Sequence, residues 1–229
     1  MWYFYSPTIV FGEGALDHVE AIEGKSWFIV TDHGIRDAGL LDILTNKLDE
    51  LKKEWMSFTE VEPDPTEETI YEAARQCRAF NPDVIAGIGG GSSLDVAKGV
   101  WVFYEHPEFE TVDEIHPFQK MDMGRKAVLV AIPTTSGTGA DTTWAIVVTR
   151  KTGEQAVKLE QVNKAVIPTY AIIDPIFPAG MPVSLTCATG FDALGHSLEG
   201  LISTWENPFS DAFAIQATRL IFEYLPRAV

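Results

Sequence analysis

Two glycine- and hydroxyl-rich segments and one carboxylate–imidazole pair hold the residue types and spacings in this chain that could do chemistry. Gly87-Ile88-Gly89-Gly90-Gly91-Ser92-Ser93-Leu94-Asp95 follows an apolar run and opens a helical one. Glycines let a backbone approach a phosphate closely, and a helix N-terminus offers free N–H groups at the positive end of its dipole. Three consecutive glycines cost backbone entropy, which weighs against a turn with no ligand. The segment is not the GxGxxG fingerprint, because Ser92 takes the third glycine position. Ser92 and Ser93 are read as helix caps and hydroxyl donors.

The second segment, Ile132-Pro133-Thr134-Thr135-Ser136-Gly137-Thr138-Gly139-Ala140-Asp141, also follows a strong apolar run. Hydroxyls and backbone amides at a strand's carboxyl end suit a pyrophosphate or a carboxamide, although Ser/Thr-rich loops are common without a ligand. Asp32 closes the run Trp27–Thr31, where a carboxylate can hold ribose hydroxyls and repel a 2′-phosphate; the plainer alternative is a loop aspartate. Asp192 and His196 stand four apart in Thr189-Gly190-Phe191-Asp192-Ala193-Leu194-Gly195-His196. On a helix that spacing puts both on one face, where they can share a metal ion or form a surface ion pair. His33 neighbours Asp32 and is read as either lining a cofactor site or, by preference, solvent-exposed; His18, His106 and His116 lack ligand-like spacing, and no GxSxG elbow is present.

The elements that must position these residues follow from periodicity. Strands are read at Thr8–Phe11, Trp27–Thr31, Trp55–Val61, Val84–Ile88, Ala127–Ile132, Trp144–Thr149 and Tyr170–Ile173. Between them, helices are read from Ile35 to about Glu54, from a Thr66 cap to Phe80 before Asn81-Pro82, and from Ser92 to Phe103. Such alternation predicts an α/β class: a Rossmann-like, mostly parallel sheet covered by helices on both faces. His106 to Arg125 is polar and irregular and is read as a surface excursion. From residue 182 the pattern turns helical, with stretches at Ala188–Leu201 and Ser210–Leu225 parted by Asn207-Pro208. The division is therefore an α/β domain over 1–181 and the beginning of an all-helical domain over 182–229. Phe213, Ile215, Leu220, Ile221, Phe222 and Leu225 are too apolar to face water, which implies more chain or a partner subunit.

Composition narrows the partners. A net charge of −16 repels phosphate backbones and anionic bilayers, which argues against nucleic acid and membrane surfaces. No apolar run reaches membrane-span length, and Met1-Trp2-Tyr3-Phe4-Tyr5 lacks the positive region of a signal peptide. Cys77 and Cys187 form no CxxC pair, and both are read as inert core thiols of a cytoplasmic protein.

Taken together and in this order, Gly89–Lys98 (GGGSSLDVAK), Pro133–Gly139 (PTTSGTG) and Ala188–Gly200 (ATGFDALGHSLEG) resemble the iron-containing (group III) alcohol dehydrogenases. The resemblance covers essentially the whole chain. It implies hydride transfer between a nicotinamide cofactor and a small alcohol or aldehyde. Asp32 would sit by the adenosine ribose and favour NAD over NADP, with Asp64 near the adenosine half. Gly89, Gly90, Gly91, Ser92 and Asp95 would surround the pyrophosphate. Thr134, Thr135 and Thr138 would contact the adenine and nicotinamide portions, and Val147, Lys158 and Leu185 align with further cofactor-contacting positions. Asp192 and His196 would be two ligands of a catalytic divalent ion, usually iron (Fe2+) and sometimes zinc (Zn2+).

Two departures accompany the resemblance. Ala140-Asp141 stands where the family usually has Ser-Glu or Ala-Glu, a conservative change. The family's two remaining metal ligands are histidines further along, and no histidine follows His196. The expectation is an incomplete metal site, so that the isolated chain binds nucleotide without metal-dependent turnover. The alternatives are a truncated nucleotide-binding or assembly module and a glycerol-dehydrogenase-like relative. The expected partner is a second copy joined through Trp2–Phe11, or a complementing C-terminal segment.

Overall fold

The computed structural model describes residues 4–153 and 155–229. Trp2 and Tyr3, part of the run expected to pair with a second copy, lie outside the described residues. The fold is the expected α/β arrangement: a six-stranded parallel sheet with flanking helices. Its elements are β1 (Thr8–Phe11), β2 (Ser26–Val30), α1 (His33–Asp37), α2 (Leu40–Glu50), β3 (Glu54–Phe58), α3 (Glu67–Phe80), β4 (Val84–Gly89), α4 (Gly91–Glu105), β5 (Val128–Pro133), β6 (Ala145–Thr152), β7 (Gln155–Val162), β8 (Tyr170–Ile173), α5 (Val183–Ile202) and α6 (Pro208–Ala228). The strand order is β1-β8-β5-β4-β2-β3.

The central strands are continuous apolar runs because both of their faces are covered. Every residue of β4 is buried. Side chains alternate between two cores, as the period-two geometry of a strand requires. Trp27 and Ile29 of β2 face Leu44 and Leu48 of α2, whereas Phe28 and Val30 face the side that holds Ile70 of α3 and Val100 of α4. Gly99 lets α4 approach α3: a Cβ there would lie 2.5 Å from Ile70 Cδ1. Thr66 caps α3 and Asn81 ends it in the left-handed region, matching the local signals.

Several expectations need correction. The helix read from Ile35 to Glu54 is two helices, because Gly39 takes φ 73° between α1 and α2. Trp144–Thr149 does not join the parallel series. It belongs to β6, which pairs antiparallel with β7 in a separate two-stranded hairpin. β7 was not foreseen, since its polar side chains face largely outward. The His106–Arg125 segment is not wholly superficial: Val112 and Ile115 are fully buried in the α3–α4 core. Cys77 is buried, and burial pushes its thiol well above the ordinary range. Cys187 is only partly buried and is no core thiol.

Helix α5 begins at Val183, earlier than Ala188, and packs against α6, where Gly190 makes room for Leu225. A Cβ at Gly190 would lie 2.5 Å from Leu225 Cδ1. Phe191, Ile202, Phe213, Ile215, Leu220 and Phe222 are exposed on this helical pair, and Trp205 on the turn that joins it. Among the described residues no helix is long and apolar enough to cross a membrane.

Candidate functional site

The carboxyl ends of β2, β3, β4 and β5 open onto one cleft of about 1050 Å³. Parallel register brings them level: Val30 pairs with Phe58 and Gly87, and Gly89 with Pro133. This is where open α/β sheets bind ligands.

The floor of the cleft is the turn from β4 into α4. Gly89 has φ +150°, a conformation side chains avoid, and a Cβ there would lie 2.5 Å from Ser93 Oγ. Gly90 is the N-cap of α4 and no side chain caps the helix. The first-turn N–H groups therefore stay available to an anion. A Cβ at Gly90 would stand 3.6 Å from Thr135, in ordinary van der Waals contact with the threonine loop. The Thr134 N–H donates to the Gly89 carbonyl at 3.0 Å, which binds the threonine loop to the glycine turn.

Ser93 does not cap α4, contrary to the sequence reading. Its hydroxyl donates to Asp32 Oδ2 at 3.0 Å, while Asp32 Oδ1 accepts the Ile35 N–H at 3.0 Å and caps α1. The aspartate is thus oriented by α1 and α4 together. Beside it, past the end of β3, Glu60 Oε2 lies 3.0 Å from His33 Nε2. His33 lines this cleft and is also exposed, so it fits both readings offered for it, and Glu60 and Glu62, which the sequence reading did not single out, line the cleft as well. Burial alone would raise Glu62, but hydrogen bonds from Thr69 and Thr66 outweigh it and hold the carboxyl below its usual range.

Of the residues the sequence nominates, Asp32, Gly90, Gly91, Ser92, Thr134, Thr135 and Leu185 line the cleft together. Gly89 underlies the turn, and Thr138 touches it: a Cβ on Gly91 would lie 3.1 Å from Thr138 Cγ2. Asp64, Asp95, Val147 and Lys158 do not line it. Asp64 and Lys158 pair with each other at 2.7 Å, both well exposed. Asp95 is buried one turn into α4; Oδ2 accepts the Val147 N–H at 3.0 Å and Oδ1 lies 3.4 Å from Lys98 Nζ.

Lys98 went unremarked in the sequence reading, although its spacing of three from Asp95 was visible. It is completely buried and donates to Thr143 Oγ1 at 2.9 Å and the Ala145 carbonyl at 2.8 Å. Burial pulls its ammonium below the ordinary range and pushes the carboxyls of Asp95 and Asp141 upward. This cluster fastens the base of the β6–β7 hairpin to α4. Arg150 fastens the hairpin to α3 through Glu67, with N···O distances of 2.5 and 2.7 Å.

Asp192 and His196 are exposed side chains one turn apart on α5. Their chemistry suits a divalent ion, but among the described residues no group of three or more His, Cys, Asp or Glu side chains converges on one point. They fit as part of a ligand set, since catalytic metal sites use about three protein ligands. The glycine turn fits a dinucleotide's diphosphate through its uncapped amides and open approach.

Comparison with known proteins agrees with this geometry. Residues 6–175 match the family model described as iron-containing alcohol dehydrogenase, and residues 186–229 match the C-terminal model of the same family. The NADPH-dependent butanol dehydrogenase of Clostridium saccharobutylicum is 38% identical over 95% of this chain and 56% of its own length. The NAD-dependent methanol dehydrogenase of Bacillus methanolicus is 36% identical over 99% of this chain and 59% of its own length. A crystal structure of 1,3-propanediol oxidoreductase superposes with a TM-score of 0.91 at 33% identity, covering 100% of this chain and 60% of that one. The chain thus spans little more than half the length of these relatives. With two consecutive family models matched and the strand tips arranged around one cleft, the chain belongs to the iron-containing alcohol dehydrogenase family.

Proposed function

We propose that this chain forms the nucleotide-binding part of an NAD-dependent alcohol dehydrogenase or aldehyde reductase acting on a small alcohol or aldehyde. The observation that carries the proposal is the uncapped N-terminus of α4, with Gly90 and Gly91 beside Thr134 and Thr135 at aligned strand tips. The α4 amides and the threonine hydroxyls bind the diphosphate. Asp32, held by Ser93 and the Ile35 amide, accepts hydroxyls of the adenosine ribose. Leu185, at the start of α5, supplies an apolar edge to the cleft. Asp192 and His196 would contribute two ligands to a divalent ion, iron by preference and zinc as the alternative. When bound, such an ion polarises the substrate oxygen for hydride exchange with the nicotinamide.

Thr138 joins the site through the threonine loop, whereas Asp64, Asp95, Val147 and Lys158 stand outside the cleft lining and have no assigned contact with the nucleotide here. Relatives divide between NADPH and NAD, so the preference for NAD rests on Asp32. Pairing of two copies would use the edge strand β1, where Ile9 and Phe11 are exposed. Asp192 and His196 are two donors, so metal-dependent turnover is expected to need further ligands, whereas nucleotide binding is expected of this chain by itself. Titration with NADH, followed by nicotinamide fluorescence, tests the reading. Saturable binding is expected, and an unchanged spectrum at millimolar nucleotide overturns it.

A further inference from the structure

The ribose end of the cleft is walled by two parallel strands in register. Val30 of β2 pairs with Phe58 of β3, and two residues beyond each stand Asp32 and Glu60. Just past the strand ends the Thr31 N–H donates to the Phe58 carbonyl at 2.9 Å, and the Val61 N–H, rather than that of Glu60, donates to the Thr31 carbonyl at 3.4 Å, so the regular register ends there. Neighbouring strands lie about 4.8 Å apart. Glu60 and Asp32 thus stand just past the ends of adjacent strands, and Glu60 Oε2 lies 3.0 Å from Nε2 of His33, the residue after Asp32.

Their environments differ. Both oxygens of Asp32 are engaged by Ile35 and Ser93. The Glu60 side chain stays largely exposed and takes hydrogen bonds from Thr59 and, when the ring donates, from His33. The cleft lining holds three carboxylates, Asp32, Glu60 and Glu62, with no lysine or arginine. NADP sites place an arginine against the 2′-phosphate, which carries a charge of about −1.5 to −2.

We infer that Glu60 is a second specificity determinant, acting beside Asp32 to exclude a 2′-phosphate from the ribose end of the cleft. The inference rests on the dinucleotide reading above. It has a direct consequence: neutralising Asp32 alone leaves the 2′-phosphate facing Glu60, and His33 remains occupied by that carboxylate. Neutralising Glu60 removes a charge and frees the His33 ring to donate to phosphate.

The experiment measures NADH and NADPH dissociation constants for the wild-type chain, Asp32→Asn, Glu60→Gln, Glu60→Asp and the Asp32→Asn/Glu60→Gln double variant. Asparagine keeps an acceptor for the Ile35 N–H, so α1 retains its cap. Glu60→Gln is expected to lower the NADPH-to-NADH ratio of dissociation constants about fivefold, and the double variant to lower it further than either single change. Glu60→Asp should retain discrimination, and raised salt should shrink the Glu60→Gln effect, as screening requires. A ratio unmoved by Glu60→Gln, in both the wild-type and Asp32→Asn backgrounds, with NADH still bound, overturns the inference and leaves the dinucleotide reading intact. Failure of the wild-type chain to bind NADH overturns both.

Discussion

The Ser93 hydroxyl, fully buried at the start of α4, donates to Asp32 Oδ2 at 3.0 Å across a sequence separation of 61 residues. This one bond joins the phosphate end of the cleft to its ribose end. The helix that would hold the diphosphate also sets the carboxylate that would hold the ribose.

Replacing Ser93 with alanine should loosen Asp32 without unfolding the domain. A lost buried hydrogen bond of this kind costs about 1 kcal/mol. NADH affinity is expected to fall about tenfold at most. Denaturant unfolding and fluorescence titration measure the two effects separately. An affinity equal to wild type would mean that Asp32 needs no support from α4.

Two neighbouring glycines should respond differently to alanine. At Gly89 the backbone lies at φ +150° and a Cβ would collide with Ser93, so Gly89→Ala is expected to cost about 1–3 kcal/mol of stability. Gly90 adopts an extended conformation and its Cβ would meet nothing closer than 3.6 Å. Gly90→Ala should therefore fold normally and lose NADH affinity, because the methyl is added at the N-cap beside the amides proposed to hold the phosphate. Thermal melts with and without NADH distinguish the two outcomes.

Lys98→Met removes the ammonium that Asp95, Thr143 and the Ala145 carbonyl share. Breaking one side of a buried pair costs about 3–5 kcal/mol. Adding Asp95→Asn removes the stranded carboxylate and should recover part of that loss. Amide hydrogen exchange at Val147, whose N–H Asp95 accepts, is expected to quicken in both variants. Equal stability of Lys98→Met and wild type would contradict the role given to this cluster.

Acid should weaken the attachment of the hairpin. Arg150 holds the Glu67 carboxyl below its ordinary value of 4.5, more than offsetting partial burial, with help from Tyr71. A carboxyl depressed on folding contributes stability that is complete above its unfolded value and lost as pH falls through the folded one. Melting temperature is thus expected to drop below about pH 4.5, and Glu67→Gln should flatten that drop while lowering stability at neutral pH. A pH profile unchanged in Glu67→Gln would remove Glu67 from the acid response.

Asp192→Ala and His196→Ala should each abolish what divalent-metal affinity the chain has and leave NADH binding unchanged. Both side chains are exposed on α5, outside the cleft lining. Calorimetric titration with zinc or ferrous ion, paired with NADH titration, tests both halves of the statement. Parallel loss of metal and nucleotide binding would show that the two sites are not separable.

What sequence alone determined here was local. Apolar runs marked β2, β4 and β5 as strands of a sheet covered on both faces, because only such strands can be apolar throughout. Gly89-Gly90-Gly91 marked a phosphate-type turn, because backbone freedom is a property of the residues themselves. Asp32, Thr134 and Thr135 were legible by standing just past strand ends. The tertiary structure decided the relationships that depend on register and long-range pairing. The Ser93–Asp32 bond, the Glu60–His33 contact, the burial of Val112 and Ile115, and the withdrawal of β6 and β7 into a hairpin are all of this kind. No periodicity encodes them: most arise when segments far apart in the chain are brought together around the sheet or a common core, and the hairpin, a local pairing, owes its place to its attachment to α3 and α4.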